Sequence, residues 1–264
     1  NHNQANRNRV NRNRVNHNQV NHSQVSYSQS DRRQEQDSGE DPVLRDAVSV
    51  EVSFAHVDFS YGNRVILKDF CADWKAGICH YIVGSVGSGK TTLMKLVTAM
   101  LLPDRGEVRV CGCPTHSWDK ERLREKIAVM PQEMILFADT ILENVRLYQR
   151  QYSEEAVQKA LETAGLSDRI SALPCGIRTR LAEDGGPLSQ GEKQRLIFAR
   201  CILQNPDIYI LDEPTSALDA EHKKEVIKVI ANLAENHLVL VITHDREYIQ
   251  PGSQVTELRQ GGVG

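Results

Sequence analysis

The apolar positions of this chain change period several times, and each change marks an element. Residues 48–61, VSVEVSFAHVDFSY, alternate apolar and polar side chains in the manner of a strand with one face buried. ICHYIVG, at 78–84, is a short apolar strand running into a glycine-rich turn. The period then becomes helical over 90–102 and is closed by Pro103. SEEAVQKALETAG, at 153–165, has a serine cap, an acidic first turn and a closing glycine, which predict a helix. Helical segments continue through Ile170, and another helix is expected over 189–203. DIYILDE (207–213) and HLVLVITH (237–244) read as buried strands flanking the helical DAEHKKEVIKVIANLAE, and SQVTELR (253–259) as a further strand. Strands alternating with helices in this way predict an α/β fold around a parallel sheet.

Upstream the pattern is of another kind. Residues 1–30 read as six pentapeptides, NHNQA, NRNRV, NRNRV, NHNQV, NHSQV and SYSQS. One small apolar residue in five cannot build a helical or strand face, so residues 1–47 are expected to be a disordered Asn/Gln/Arg-rich repeat and linker. Residues 48–264 form the folded domain. Arg7, Arg9, Arg12 and Arg14 could meet RNA or acidic lipid, but an expanded tract without function is the preferred reading.

Composition narrows the function classes. The 264 residues are 40% hydrophobic and 25% charged with a net charge of −3, so the basic domain of a nucleic-acid binder is missing and no nucleic-acid partner is expected. No run approaches the roughly 18 apolar residues of a membrane span. No apolar signal core opens the sequence either, so a membrane role would come through a partner or through chain outside it. The six cysteines include no CxxC pair, and Cys111 and Cys113 have a poor zinc spacing, so reduced thiols are expected.

The strand at 78–84 enters Gly84-Ser85-Val86-Gly87-Ser88-Gly89-Lys90-Thr91, followed by Thr92. This fits the P-loop pattern G-x-x-x-x-G-K-[ST] in its strand–loop–helix setting. The glycines let backbone N–H groups curl around an anion, and the helix starting near Lys90 points its positive end there. Lys90 would neutralise β- and γ-phosphate charge, and the Thr91 hydroxyl would ligate Mg²⁺. At 208–213 an apolar strand ends in Asp212 and Glu213. Set beside the P-loop strand, it delivers Asp212 to Mg²⁺ and Glu213, as general base, to the attacking water. A solvated acidic turn is the alternative when the pair is taken alone.

Leu188-Ser189-Gln190-Gly191-Glu192-Lys193-Gln194-Arg195 resembles the signature motif, usually LSGGQ, of ATP-binding cassette (ABC) proteins. Ser189 with Glu192 also makes a capping box, so a well-capped helix is the plainer reading. The resemblance covers roughly 50–260 with all motifs in order. It implies that Tyr61 stacks on adenine, Gln132 of MPQE senses Mg²⁺ and the transport partner, Ser216 to Asp219 form the D-loop, and His244 contacts the γ-phosphate. It further implies that Ser189, Gln190 and Gly191 receive the γ-phosphate bound to an opposing chain. Gln190 replaces the usual first glycine and Glu192 the usual glutamine, so a working but retuned contact is expected.

Two stretches resemble the exporter branch: LFADTILENV at 136–145 and LPCGIRTRLAEDGGPL at 173–188, with Ala182 where that pattern has glycine. The resemblance therefore implies a P-loop NTPase core with a parallel sheet, an antiparallel β subdomain from about residue 48 and a helical signature subdomain near 133–200. It implies ATP and Mg²⁺, a second ATP-binding domain in a homo- or heterodimer, and a transmembrane domain as transport partner. The place implied is the cytoplasmic face of a membrane, held through that partner. Such exporters carry the membrane domain N-terminal to the cassette, where this sequence has its repeat, and continue through another helix beyond the last strand. A separate subunit, a fragment and a diverged form all fit that difference. The rival from another class is a soluble cassette ATPase acting as an ATP-dependent clamp.

Overall fold

A computed structural model describes residues 49–183, 185–247 and 249–259; the repeat and linker expected over 1–47 lie outside them. β1 (Glu51–Tyr61) turns back at Gly62 into β2 (Arg64–Lys75). With β4 (Arg105–Val110) and β5 (Cys113–Pro114) they form an antiparallel sheet in the order β2-β1-β4-β5. β1 buries Val52, Phe54, Val57 and Phe59, with a register shift between Phe54 and Val57 where His56 takes φ +50°. That shift keeps the apolar face inward although the alternation skips a residue.

β3 (Cys79–Gly84), β6 (Ile127–Met130), β7 (Ile208–Asp212), β8 (Leu238–Thr243) and β9 (Gln254–Leu258) make a second sheet, parallel throughout, in the order β6-β7-β8-β3-β9. Every residue of β7 and β8 is buried. Ile208, Ile210, Leu238, Leu240 and Ile242 face one core, shared with β1, β2 and α1 (Lys90–Val97). Tyr209, Leu211, Val239 and Val241 face the other, under α6 (Gln190–Gln204) and α7 (Ala220–Ala234). Burial on both faces is why these strands read as unbroken apolar runs. α2 (Lys120–Lys126) leads into β6, and α3 (Ile141–Arg146), α4 (Glu154–Thr163) and α5 (Ser167–Ser171) join α6 in the helical part.

Two expectations are corrected. The helix expected over 90–102 stops at Val97: Thr98 Oγ1 donates back to Met94 O at 2.8 Å and Ala99 takes φ +53°. Leu101 still packs on the core while Met100 is 72% exposed, so the apolar spacing outlived the helix. The acidic strand β7 is also not a neighbour of β3, because β8 lies between them. Among the described residues no helix is long and apolar enough to cross a membrane.

Candidate functional site

The loop from β3 to α1 closes on itself. Gly87 and Gly89 take φ +78° and +106°, and a Cβ on Gly89 would come within 2.8 Å of Ile66 Cγ2. No side chain caps α1, which leaves its first N–H groups to an anion. Lys90 Nζ donates to Gly84 O at 2.7 Å and to Ser85 O at 3.0 Å, so the ammonium spans the loop mouth. Ser88 Oγ lies buried beneath the loop with no hydrogen-bond partner, an orphan polar atom in a cradle of donors. These features fit a phosphate group.

Across the cleft, β7 delivers Asp212 and Glu213, both buried. Burial, and next the neighbouring Glu213 charge, push the Asp212 carboxyl above its ordinary value, while Lys90 opposes them. Glu213 adopts φ +53°. Its N–H donates to Ile242 O at 2.8 Å, and its carbonyl accepts from Gln194 Nε2 at 2.9 Å and Ser216 N at 3.2 Å. Glu213 Oε1 accepts from His244 N at 3.0 Å and lies 2.6 Å from His244 Nδ1; Thr243 Oγ1 reaches Oε2 at 3.3 Å. The carboxylate is thereby aimed by the end of β8, the strand that separates β7 from the P-loop.

A cleft of about 650 Å³ brings together Tyr61, Gly84, Ser85, Val86, Gly87, Gly89, Lys90, Thr91, Thr92, Gln132, Asp212, Glu213 and His244. Ser88 stays below it. Two lining residues escaped the sequence reading, Arg64 and Ile66 on β2. Arg64 pairs across the hairpin with Tyr61 and extends to within 3.5 Å of Gly87 O. The Tyr61 ring stands edge-on to Phe59 at 5.0 Å, leaving a face for a flat apolar partner. Thr91, Asp212 and Gln132 offer oxygen donors, the set a hard cation such as Mg²⁺ takes.

Ser189, Gln190 and Gly191 are elsewhere. They line a second cleft of about 710 Å³, with Ala217, Leu218, Asp219, Asp168 and Arg169, which shares no lining residue with the first. The expected capping box is formed: Ser189 N donates to Glu192 Oε2 at 2.7 Å and Glu192 N to Ser189 Oγ at 3.2 Å. Arg169 answers the Glu192 charge at 3.0 Å and also holds Pro187 O at 2.6 Å. A single chain thus presents a phosphate cradle on one cleft and a capped helix end on another.

The segment after Gln132 is built around Asn144, which is fully buried. Its Nδ2 donates to Phe137 O, Thr140 O and Asp139 O, and its Oδ1 accepts from Phe137 N at 2.8 Å. Arg200 donates to Ile135 O and Asn144 Oδ1 and lies 5.6 Å from the Phe137 ring centre. Burial lowers this guanidinium to about 10, still charged at neutral pH. Held in this way, the loop displays Ile135 and Phe137, 58% and 42% exposed.

The family model described as ABC transporter matches residues 67–216. The chain is 36% identical over 234 residues to an ATP-dependent lipid A-core flippase of Burkholderia thailandensis, covering 87% of this chain and 39% of that protein. It is 39% identical over 217 residues to the mitochondrial iron-sulfur clusters transporter ATM1 of Candida glabrata, covering 81% of this chain and 30% of that one. Among solved structures, a bacterial Atm1-family ABC exporter with ATP bound superposes with a TM-score of 0.78 at 31% identity, covering 83% of this chain and 39% of that one. The chain therefore spans well under half the length of these relatives.

Proposed function

Because the chain belongs to the ABC transporter family, we propose that it binds and hydrolyses ATP as the nucleotide-binding domain of an exporter-type transporter. In this reading it powers substrate movement across a membrane through a partner membrane domain. The observation that carries it is the pairing of the Lys90 cradle with a Glu213 carboxylate fixed by His244 in one cleft.

ATP enters with its adenine on Tyr61 and its phosphates on residues 84–92. Lys90, its donors already aimed at the loop mouth, offsets the charge of the β- and γ-phosphates. Glu213 takes a proton from the water that attacks the γ-phosphorus, and the bond to the β-phosphate oxygen breaks. His244 keeps the Glu213 oxygen in line through its backbone N–H and its ring. Thr91 and Asp212, with Gln132, would hold Mg²⁺, whose charge would offset that of the phosphates. Ser189, Gln190 and Gly191, which lie outside this cleft, act on the nucleotide of a second ATP-binding domain, so that ATP is enclosed head to tail between two domains. The exposed Ile135 and Phe137, on a loop locked from within, suit docking of the membrane domain at the cytoplasmic face of a membrane.

The decisive variant is Glu213→Gln. It should lower ATP turnover at least ~100-fold, the scale of a lost general base, while ATP binding persists and ATP traps a dimer measurable by light scattering. Undiminished hydrolysis would remove Glu213 from the role.

A further inference from the structure

Gln194 opens the second turn of α6, is 3% exposed, and spends its whole amide on one neighbouring segment. Nε2 donates to Glu213 O at 2.9 Å and to Ser216 Oγ at 3.1 Å, and Oε1 accepts from Ala217 N at 3.0 Å. Three residues earlier, on the same helix face, a Cβ on Gly191 would meet Ala217 O at 3.0 Å and Leu218 Cδ2 at 3.1 Å. Helix α6 is therefore keyed to residues 213–218 at two heights, once by close packing and once by hydrogen bonds.

The gripped segment is strained where it matters. Glu213 holds φ +53° directly before Pro214, a position where proline already restricts the backbone. Such a conformation is costly and persists only where its surroundings over-determine it. From the β8 side, Ile242 O takes the Glu213 N–H; from the α6 side, Gln194 takes the carbonyl. The amide meets this demand with both of its N–H donors and its oxygen acceptor in use.

We propose that Gln194 is a positioning residue through which α6 sets the backbone of Glu213 and of the 216–218 turn. The proposal rests on the reading of Glu213 as general base. If Ser189 and Gly191 contact the nucleotide of an opposing chain, the helix end that touches one nucleotide also holds the base that acts on the other.

The test compares the full chain with its Gln194→Glu and Gln194→Met variants, and with Glu213→Gln as reference. Glutamate removes both donated bonds, whereas methionine fills a similar volume with none. Both should lose at least tenfold in kcat while KM and the affinity for a fluorescent ATP analogue stay within threefold. Hydrogen exchange at the Ala217 and Ser216 amides should accelerate at least tenfold in Gln194→Met, a readout that needs no turnover. A kcat within twofold of wild type, or unchanged protection at Ala217, would overturn the proposal. So would a kcat loss that follows a matching fall in thermal stability and ATP affinity, since that marks a merely structural role. If Gln194→Glu does not fold, the neutral Gln194→Met decides. A wild-type chain with no more turnover than Glu213→Gln counts against the hydrolytic reading, while amide exchange still judges Gln194.

Discussion

The carboxyl of Asp212 is held above its ordinary value by burial first and by the Glu213 charge second. The unfolded chain releases that proton at lower pH than the folded one, so the folded state binds more protons within the interval. Stability without nucleotide should therefore fall as pH rises from about 4 through the raised value, and stay lower above it. Asp212→Asn should flatten that loss and raise the thermal midpoint at pH 7, each kcal/mol gained appearing as about 2–4 °C. A lower midpoint in calorimetry would show that the charge is compensated within the chain. Two neighbours of the site were missed at this scale. Arg64 reaches the loop because Tyr61 and Arg64 pair across a tight turn, whose signal is the Gly62-Asn63 dipeptide between them. Arg169 meets Glu192 by helix packing, which no local spacing records.

Among elements, the legible ones are those whose burial or caps repeat regularly. β7 and β8 are apolar up to their last residues because both faces are covered, while Ser153 and Ser189 cap α4 and α6 as the sequence suggests. β2 left no such trace. Ile66, Leu67, Phe70 and Trp74 are its buried residues, a spacing closer to a helix than to the alternation of a strand, because its pairing with β1 shifts register three times. β6 is only four residues long and follows α2 without a loop, so its pattern is too short to separate from the helix. The 136–145 stretch was legible as a motif, whereas its physical content is Asn144, which ties the loop to α3. Asn144→Ala strands several buried backbone groups and should cost about 3 kcal/mol in denaturant unfolding. A loss below ~1 kcal/mol would mean that water replaces the amide.

At the scale of the whole molecule, the proposed function turns the two clefts into a stoichiometry. In that reading a chain whose P-loop and whose Ser189–Gln190–Gly191 helix end open onto separate cavities would complete an enclosed nucleotide by pairing P-loop to helix end with a second domain. Two-fold pairing of identical chains creates two such sites, each using the cradle of one and the helix end of the other. Lys90→Ala disables the cradle and leaves the helix end intact; Ser189→Arg blocks the helix end and leaves the cradle intact. Each variant alone should lose nearly all turnover. In a mixed dimer one site collects both defects and the other collects none. Equal mixing puts about half of the dimers in that form, so about a quarter of wild-type ATP turnover should return. Recovery on mixing separates this arrangement from one in which each chain hydrolyses ATP within itself, where no combination of the two defects restores a site. Titrating one variant into the other at fixed total protein gives the shape as well as the height: a maximum near equal proportions belongs to the paired sites, and a flat line would refute pairing between copies of this chain.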